Sequence, residues 1–169
     1  MDSRFADFDA DDAGSIYEYA ARSVLALYKD FVKGTPSATL GIVSEHPLPA
    51  EATEAVRASA ERLGYGRDGC IWVTMRGNAP HTSGNAKPLK IGEQDLRTIV
   101  ESVDPLSLIT TDAFSAHALA RAYGEACNIN SANRINGRPT VSLGDFPLML
   151  KDDAEKQKAW HLMKTLRLD

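Results

Sequence analysis

The residues able to do chemistry in this 169-residue chain gather just after its apolar runs. Ser44, Glu45 and His46 follow ATLGIV, and Arg76, Asn78 and His81 follow CIWVTM. Thr111, Asp112 and Ser115 follow LSLITT, and Asp145 and Phe146 follow PTVSLG. Carboxylates and imidazoles brought together can pass protons, and a guanidinium can hold an anion. Glu45, His46 and Asp145 are therefore the candidate catalytic groups. Arg76, Asn78, His81 and Phe146 are the candidate ligand-binding groups, Phe146 offering a ring for stacking. Each also has a plainer role. Glu45 can face solvent at a strand end, His46 can be held in the turn before Pro47, and Arg76 can pair with an acid. Asp112 is placed to cap a helix starting at Ala113. His81 can be solvated in a polar loop, and His117 and His161 fall within helices.

Generic motifs are missing. GNAPHTSGN has neither the phosphate-loop nor the dinucleotide pattern, and no zinc spacing or Gly-x-Ser-x-Gly elbow is present. The two cysteines, Cys70 and Cys127, form no metal-ligand spacing and no disulfide framework, and Cys70 reads as a buried thiol. No cofactor is expected.

The elements that must position these residues follow from apolar spacing. Tyr17, Ala20, Ala21, Val24, Leu25, Tyr28, Phe31 and Val32 recur at helical intervals up to Gly34 and Pro36. Three short apolar runs, Ala38 to Val43, Cys70 to Met75 and Leu106 to Thr111, read as strands buried on both faces. A fourth strand is expected around Val141, after a polar Asn-rich turn. Helices are expected through Ala52 to Leu63, Leu96 to Val103, Ala113 to Tyr123 and Ala159 to Leu166, the last capped by Asp152 or Asp153. The Gly77 to Gly92 stretch is long for a plain connection, a length that often carries function. Strands alternating with helices give right-handed βαβ units and helices on both faces of a parallel sheet. Ligands of such sheets lie beyond the carboxyl ends of the strands.

Length and composition bound the rest. The chain fits one domain, 1–169, with residues 1–13 an acidic leader expected to be flexible. A hydrophobic fraction of 43% and a charged fraction of 25% are those of a globular protein. No run approaches the ~20 apolar residues of a membrane span, and the acidic start is not a targeting peptide, so a cytoplasmic protein is expected. A net charge of −4 disfavours a general nucleic-acid surface. A basic mouth built from Arg76, Lys87, Lys90, Arg134 and Arg138 would reverse that.

Three stretches carry a resemblance: ERLGYGRDGCIWVTMRGNAP, DLRTIVESVDPLSLITTDAFSAHALARAYG and GRPTVSLGDFPLMLKDDAEKQKAWHLMKTL. In this order, from about Ala38 to Leu166, they resemble the uracil-DNA glycosylase superfamily, especially its short bacterial and archaeal members. The resemblance implies a three-layer α/β/α sandwich around a short, about four-stranded parallel sheet in the order 2-1-3-4. It also locates departures. The family's Gly-Glu-x-Pro-Gly motif falls on Ser44, Glu45, His46 and Pro47, which keep the acid and the proline. The base-reading Asn falls on Met75, and the His-Pro-Ser loop falls on Phe146, Pro147 and Leu148. The iron–sulfur cysteines have no counterparts. The resemblance thus implies a non-catalytic or diverged relative, without uracil excision, that binds a small polar ligand, a nucleobase or a protein. The other expectation is a diverged glycosylase or hydrolase acting on a nucleobase, nucleoside or nucleic acid through Glu45.

Overall fold

The structure, a computed structural model, describes residues 13–77 and 89–169. At its centre lies β2 (Leu40–Ser44), all five of whose residues are buried. A strand with no solvent-facing side needs cover above and below and a paired neighbour on each edge. Those neighbours are β3 (Cys70–Thr74) and β4 (Ser107–Thr110), both parallel to it, and β6 (Arg138–Ser142) runs parallel beyond β4. Two more strands finish the sheet antiparallel: β1 (Val32–Gly34) on β3, and β5 (Ser131–Ile135) on β6. The order is β1-β3-β2-β4-β6-β5.

The expected short sheet of about four parallel strands, order 2-1-3-4, is corrected here: the sheet has six strands and is mixed. Parallel pairing is confined to the inner four. Phe31 and Val32 continue the apolar spacing of the first helix, yet α1 (Ala13–Leu27) stops earlier and Val32 pairs with Val73. Gly34 permits that close pairing. Its φ is +128°, and a Cβ there would stand 2.5 Å from the Cys70 carbonyl oxygen. The Asn-rich turn is partly a hairpin. Asn136 and Gly137 take φ of 49° and 81°, the two left-handed residues of a tight loop whose twist matches its strands. The compact four-stranded glycosylase-type sheet that the resemblance implied is overturned by this mixed, six-stranded one.

Helices cover both faces. On one side α1, α3 (Glu93–Val103) and α4 (Ala113–Tyr123) pack over Ile71, Val73, Val43 and Leu108. On the other, α2 (Ala50–Leu63), α5 (Phe146–Met149) and α6 (Asp153–Met163) pack over Leu40, Ile42, Ile109 and Val141. Ala52, Val56, Ala60 and Leu63 form the buried stripe of α2, and Gly64 ends it in the left-handed conformation. Full burial of each Leu, Ile or Val contributes about 1.5–3 kcal/mol, so these two layers dominate the stability of the fold. A further tie is Tyr65, whose hydroxyl bridges Ser107 Oγ at 2.9 Å and the carbonyl oxygen of Leu166.

Arg138 closes the amino end of the sheet. Its guanidinium donates to Glu101 at 2.8 Å, Asp104 at 2.6 Å and the Pro105 carbonyl at 3.0 Å, with its side chain only 10% exposed. Arg138 is also the main cause that holds the Glu101 carboxyl below its ordinary value. A lowered carboxyl pKa stabilises fully above the ordinary carboxylate range, and the stabilisation is lost as pH falls through the lowered value. We expect Arg138→Met to cost about 2–3 kcal/mol in urea denaturation at neutral pH and to flatten the acid limb of the stability profile. Thr110 goes the other way. Its Oγ1 is buried without a hydrogen-bond partner among the described residues, so Thr110→Val should raise stability by about 1 kcal/mol in the same assay.

Candidate functional site

The carboxyl ends of β2, β3 and β4 fix Glu45 by its backbone. Its N–H donates to Asp112 Oδ2 at 2.8 Å, and its carbonyl accepts the Arg76 N–H at 2.8 Å. Asp112 is the hub. The same carboxylate caps α4 by accepting the Ser115 N–H at 2.7 Å, and Thr111 Oγ1 lies 3.3 Å away. One side chain thus ties the end of the central strand to the start of a helix on the neighbouring strand.

From that anchored backbone the Glu45 carboxylate reaches Arg76 at 3.3 Å and His46 Nε2 at 3.7 Å. Glu45 is 28% exposed and His46 63%, so the pair meets solvent. The Arg76 guanidinium also lies over the Phe114 ring, 4.5 Å from its centroid, a favourable cation–π distance. The structure therefore brings together Glu45, His46 and Arg76 among the residues singled out in the sequence. Asp145 stands apart: its carboxylate accepts the Leu148 N–H at 3.1 Å and caps α5. Phe146 is 1% exposed and packed among Leu40, Val56 and Met163, so its ring is core and offers no stacking face. Met75 is 2% exposed and fills the opposite core layer. Asn78 and His81 lie outside the described residues, as does Lys87 of the expected basic mouth. Arg138 begins its strand at the other end of the sheet, and Arg134 donates to the Gly137 carbonyl within the hairpin.

A groove of about 940 Å³ opens beside this cluster, on the sheet face shared with α2. Its floor is the outward row of β3: Cys70, Trp72 and Thr74. Ser44 lies beside Thr74 in the parallel register, and Leu48, Thr53 and Arg57 form the α2 wall. The groove exists because α2 stands over β2, while no helix among the described residues stands over Trp72 and the β1 edge. Its guanidiniums are paired, Arg57 on Asp68 at 2.8 Å and Arg67 on Glu54 and Glu61, while Asp30 and Lys33 make no ion pair among the described residues. Ser44 Oγ and Thr74 Oγ1 make no hydrogen bond among the described residues. Cys70 is an unreactive floor atom, because burial pushes its thiol up to about 11. Trp72 reads in sequence as one more apolar strand residue. Its signal was the pattern Trp72-x-Thr74, with a polar residue two positions on along the same face.

No family model and no curated protein matches this sequence. The glycosylase-related reading, catalytic or non-catalytic, is corrected with the fold it was drawn from, and nucleobase recognition rested on the same identity. Among the described residues no group of three or more His, Cys, Asp or Glu is placed to hold a metal ion, and of the expected catalytic trio Glu45 and His46 meet at 3.7 Å while Asp145 is engaged in capping α5. No helix among the described residues is long and apolar enough to cross a membrane.

Removing the Asp112 hub separates its two tasks. Asp112→Ala loses a helix cap and strands the Glu45 N–H, and should cost about 2 kcal/mol by chemical denaturation. Asp112→Asn keeps an oxygen for the cap and should retain about half of that.

Proposed function

We propose that this protein is a binding domain for a small, polar, uncharged molecule with one flat face, held in the groove over Trp72. The carrying observation is the floor itself. A half-buried Trp ring lies beside two neighbouring hydroxyls, Ser44 Oγ and Thr74 Oγ1, whose hydrogen-bonding capacity is unspent within the described residues. Ligand sites of this kind combine an aromatic or apolar floor with a few convergent polar groups in about 300–1,000 Å³. Arg57 and Arg67 already have carboxylates, and the other lining charges, Lys33 and Asp30, are one of each sign, which argues for a ligand without net charge. Glu45, His46 and Arg76 lie at the carboxyl end of the same strands, outside the groove's lining. The cytoplasm is the compartment this reading assigns, supported by two free, buried thiols, Cys70 and Cys127.

Trp72 supplies its own probe. The other tryptophan, Trp160, is stacked by Arg62 at 5.0 Å, and Trp160→Phe leaves Trp72 as the sole indole emitter. Titrating that variant with a panel of mono- and disaccharides, neutral amino-acid amides and aromatic amides should give a saturable emission change with one class. Thr74→Val in the same background should weaken that binding about fivefold to tenfold, the loss of one hydrogen bond. Absence of saturable change across the panel, with the variant folded by circular dichroism, sinks the proposal.

A further inference from the structure

We infer a second site, for a phosphate-class oxyanion, in the cleft of about 340 Å³ between the end of β3, the start of α3 and α4. It goes beyond the groove over Trp72 and lies among the helices of the opposite layer. Three cations line it: Arg76, Lys90 and Arg121.

The arrangement of those cations needs an explanation. Arg76 and Lys90 face each other across an antiparallel bridge. Like charges directly opposite on paired backbone are destabilising, and a bound anion removes that cost. Two carboxylates serve the same region, and each is committed. Glu45 lies 3.3 Å from Arg76, and Glu93, also in the lining, holds Arg121 through Nε at 2.6 Å. Lys90 is left without a carboxylate among the described residues. The donors are also partly unspent. Nη1 of Arg76 is 3.3 Å from Glu45 and Nε of Arg121 is 2.6 Å from Glu93, so among the described residues Nε and Nη2 of Arg76 and both Nη groups of Arg121 remain open. Stacking fixes the Arg76 plane, so its fork is presented in one orientation, the geometry suited to an oxyanion.

The backbone adds to this. Gly92 caps α3 without a side chain, so the N–H groups of the first turn lack a cap from that residue. Gly92 N–H itself donates to Asp95 at 2.9 Å, and Asp95 is turned toward Tyr28, which donates to it at 2.7 Å. Gly92 and Glu93 line the cleft, so the positive end of α3 borders the three cations. An anion there would bridge the fork of Arg76, the ammonium of Lys90 and the free amino groups of Arg121.

Amide NMR with inorganic phosphate tests this on the full chain at constant ionic strength. Saturable shifts are expected at Gly92, Glu93 and Gln94, and weaker ones with chloride in place of phosphate. Lys90→Met and Arg121→Met should each weaken phosphate binding about tenfold, and both positions are exposed, so the spectra should otherwise report an intact fold. Glu93→Gln should tighten binding, because it frees Arg121 and removes a competing negative charge. A merely structural Glu93–Arg121 pair would not give that result. Unsaturable shifts, affinities unchanged in both cation variants, or weaker binding in Glu93→Gln overturn the inference. Trp72 emission should stay flat throughout the phosphate titration, which keeps this test separate from that of the groove.

Discussion

Leu40–Ser44 is buried along its whole length, so its peptide groups need strands on both sides and its side chains need helices above and below. Everything else in the molecule answers to that strand. β3 and β4 pair with it in parallel, and parallel neighbours require crossovers, so α2 and α3 must run over opposite faces between successive strands. The strand's carboxyl end then has to stop against something polar. That is the Asp112 carboxylate, which takes the Glu45 N–H and starts α4 in the same contact.

Among the described residues, helices of four to fifteen residues cover the six-stranded sheet incompletely at one edge. On the α2 face no described helix stands over β3 and β1, and there Trp72 and Thr74 are only half-buried where the covered part buries Ile42 and Ile109. The groove is thus a consequence of strand count. Adding β1 widens the sheet beyond the reach of α2, and the side chains on that margin are free to meet a ligand.

Charge is distributed by the same geometry. At the amino ends of the strands, Arg138 satisfies two carboxylates and a carbonyl from a nearly buried position, and the Tyr123 hydroxyl also donates to Glu101. That network is closed, and its burial and hydrogen bonding raise the Tyr123 pKa. At the carboxyl ends Arg76 is partly exposed and stacked on the Phe114 ring, and Lys90 has no carboxylate partner among the described residues. The two ends of one sheet therefore differ: the amino end is a closed network that holds elements together, and the carboxyl end leaves its cations part-exposed.

The residues that sequence determined are those whose neighbours in the chain decide their state. Ala113–Tyr123 is a helix because Asp112 caps it and Gly124 ends it, and Asp152 caps α6 by the same local rule. Buried strands such as Cys70–Thr74 announce themselves by composition. The sheet's edges did not. Val32–Gly34 is too short to show a period, and the Ser131–Ile135 strand is polar, so only the Asn136-Gly137 pair marked its hairpin. A similar order of segments therefore left open how many strands the sheet would have. The site divided along the same line. Glu45, His46 and Arg76 could be placed at strand ends from sequence, but the Phe114 ring under Arg76 comes from a helix thirty-eight residues on, and Phe146 turns inward because Asp145 caps α5 and Phe146 is its first residue. Short-range hydrogen bonding can be read along the chain. Which side chains share a pocket depends on where the packed layers end, and only the tertiary structure decides that.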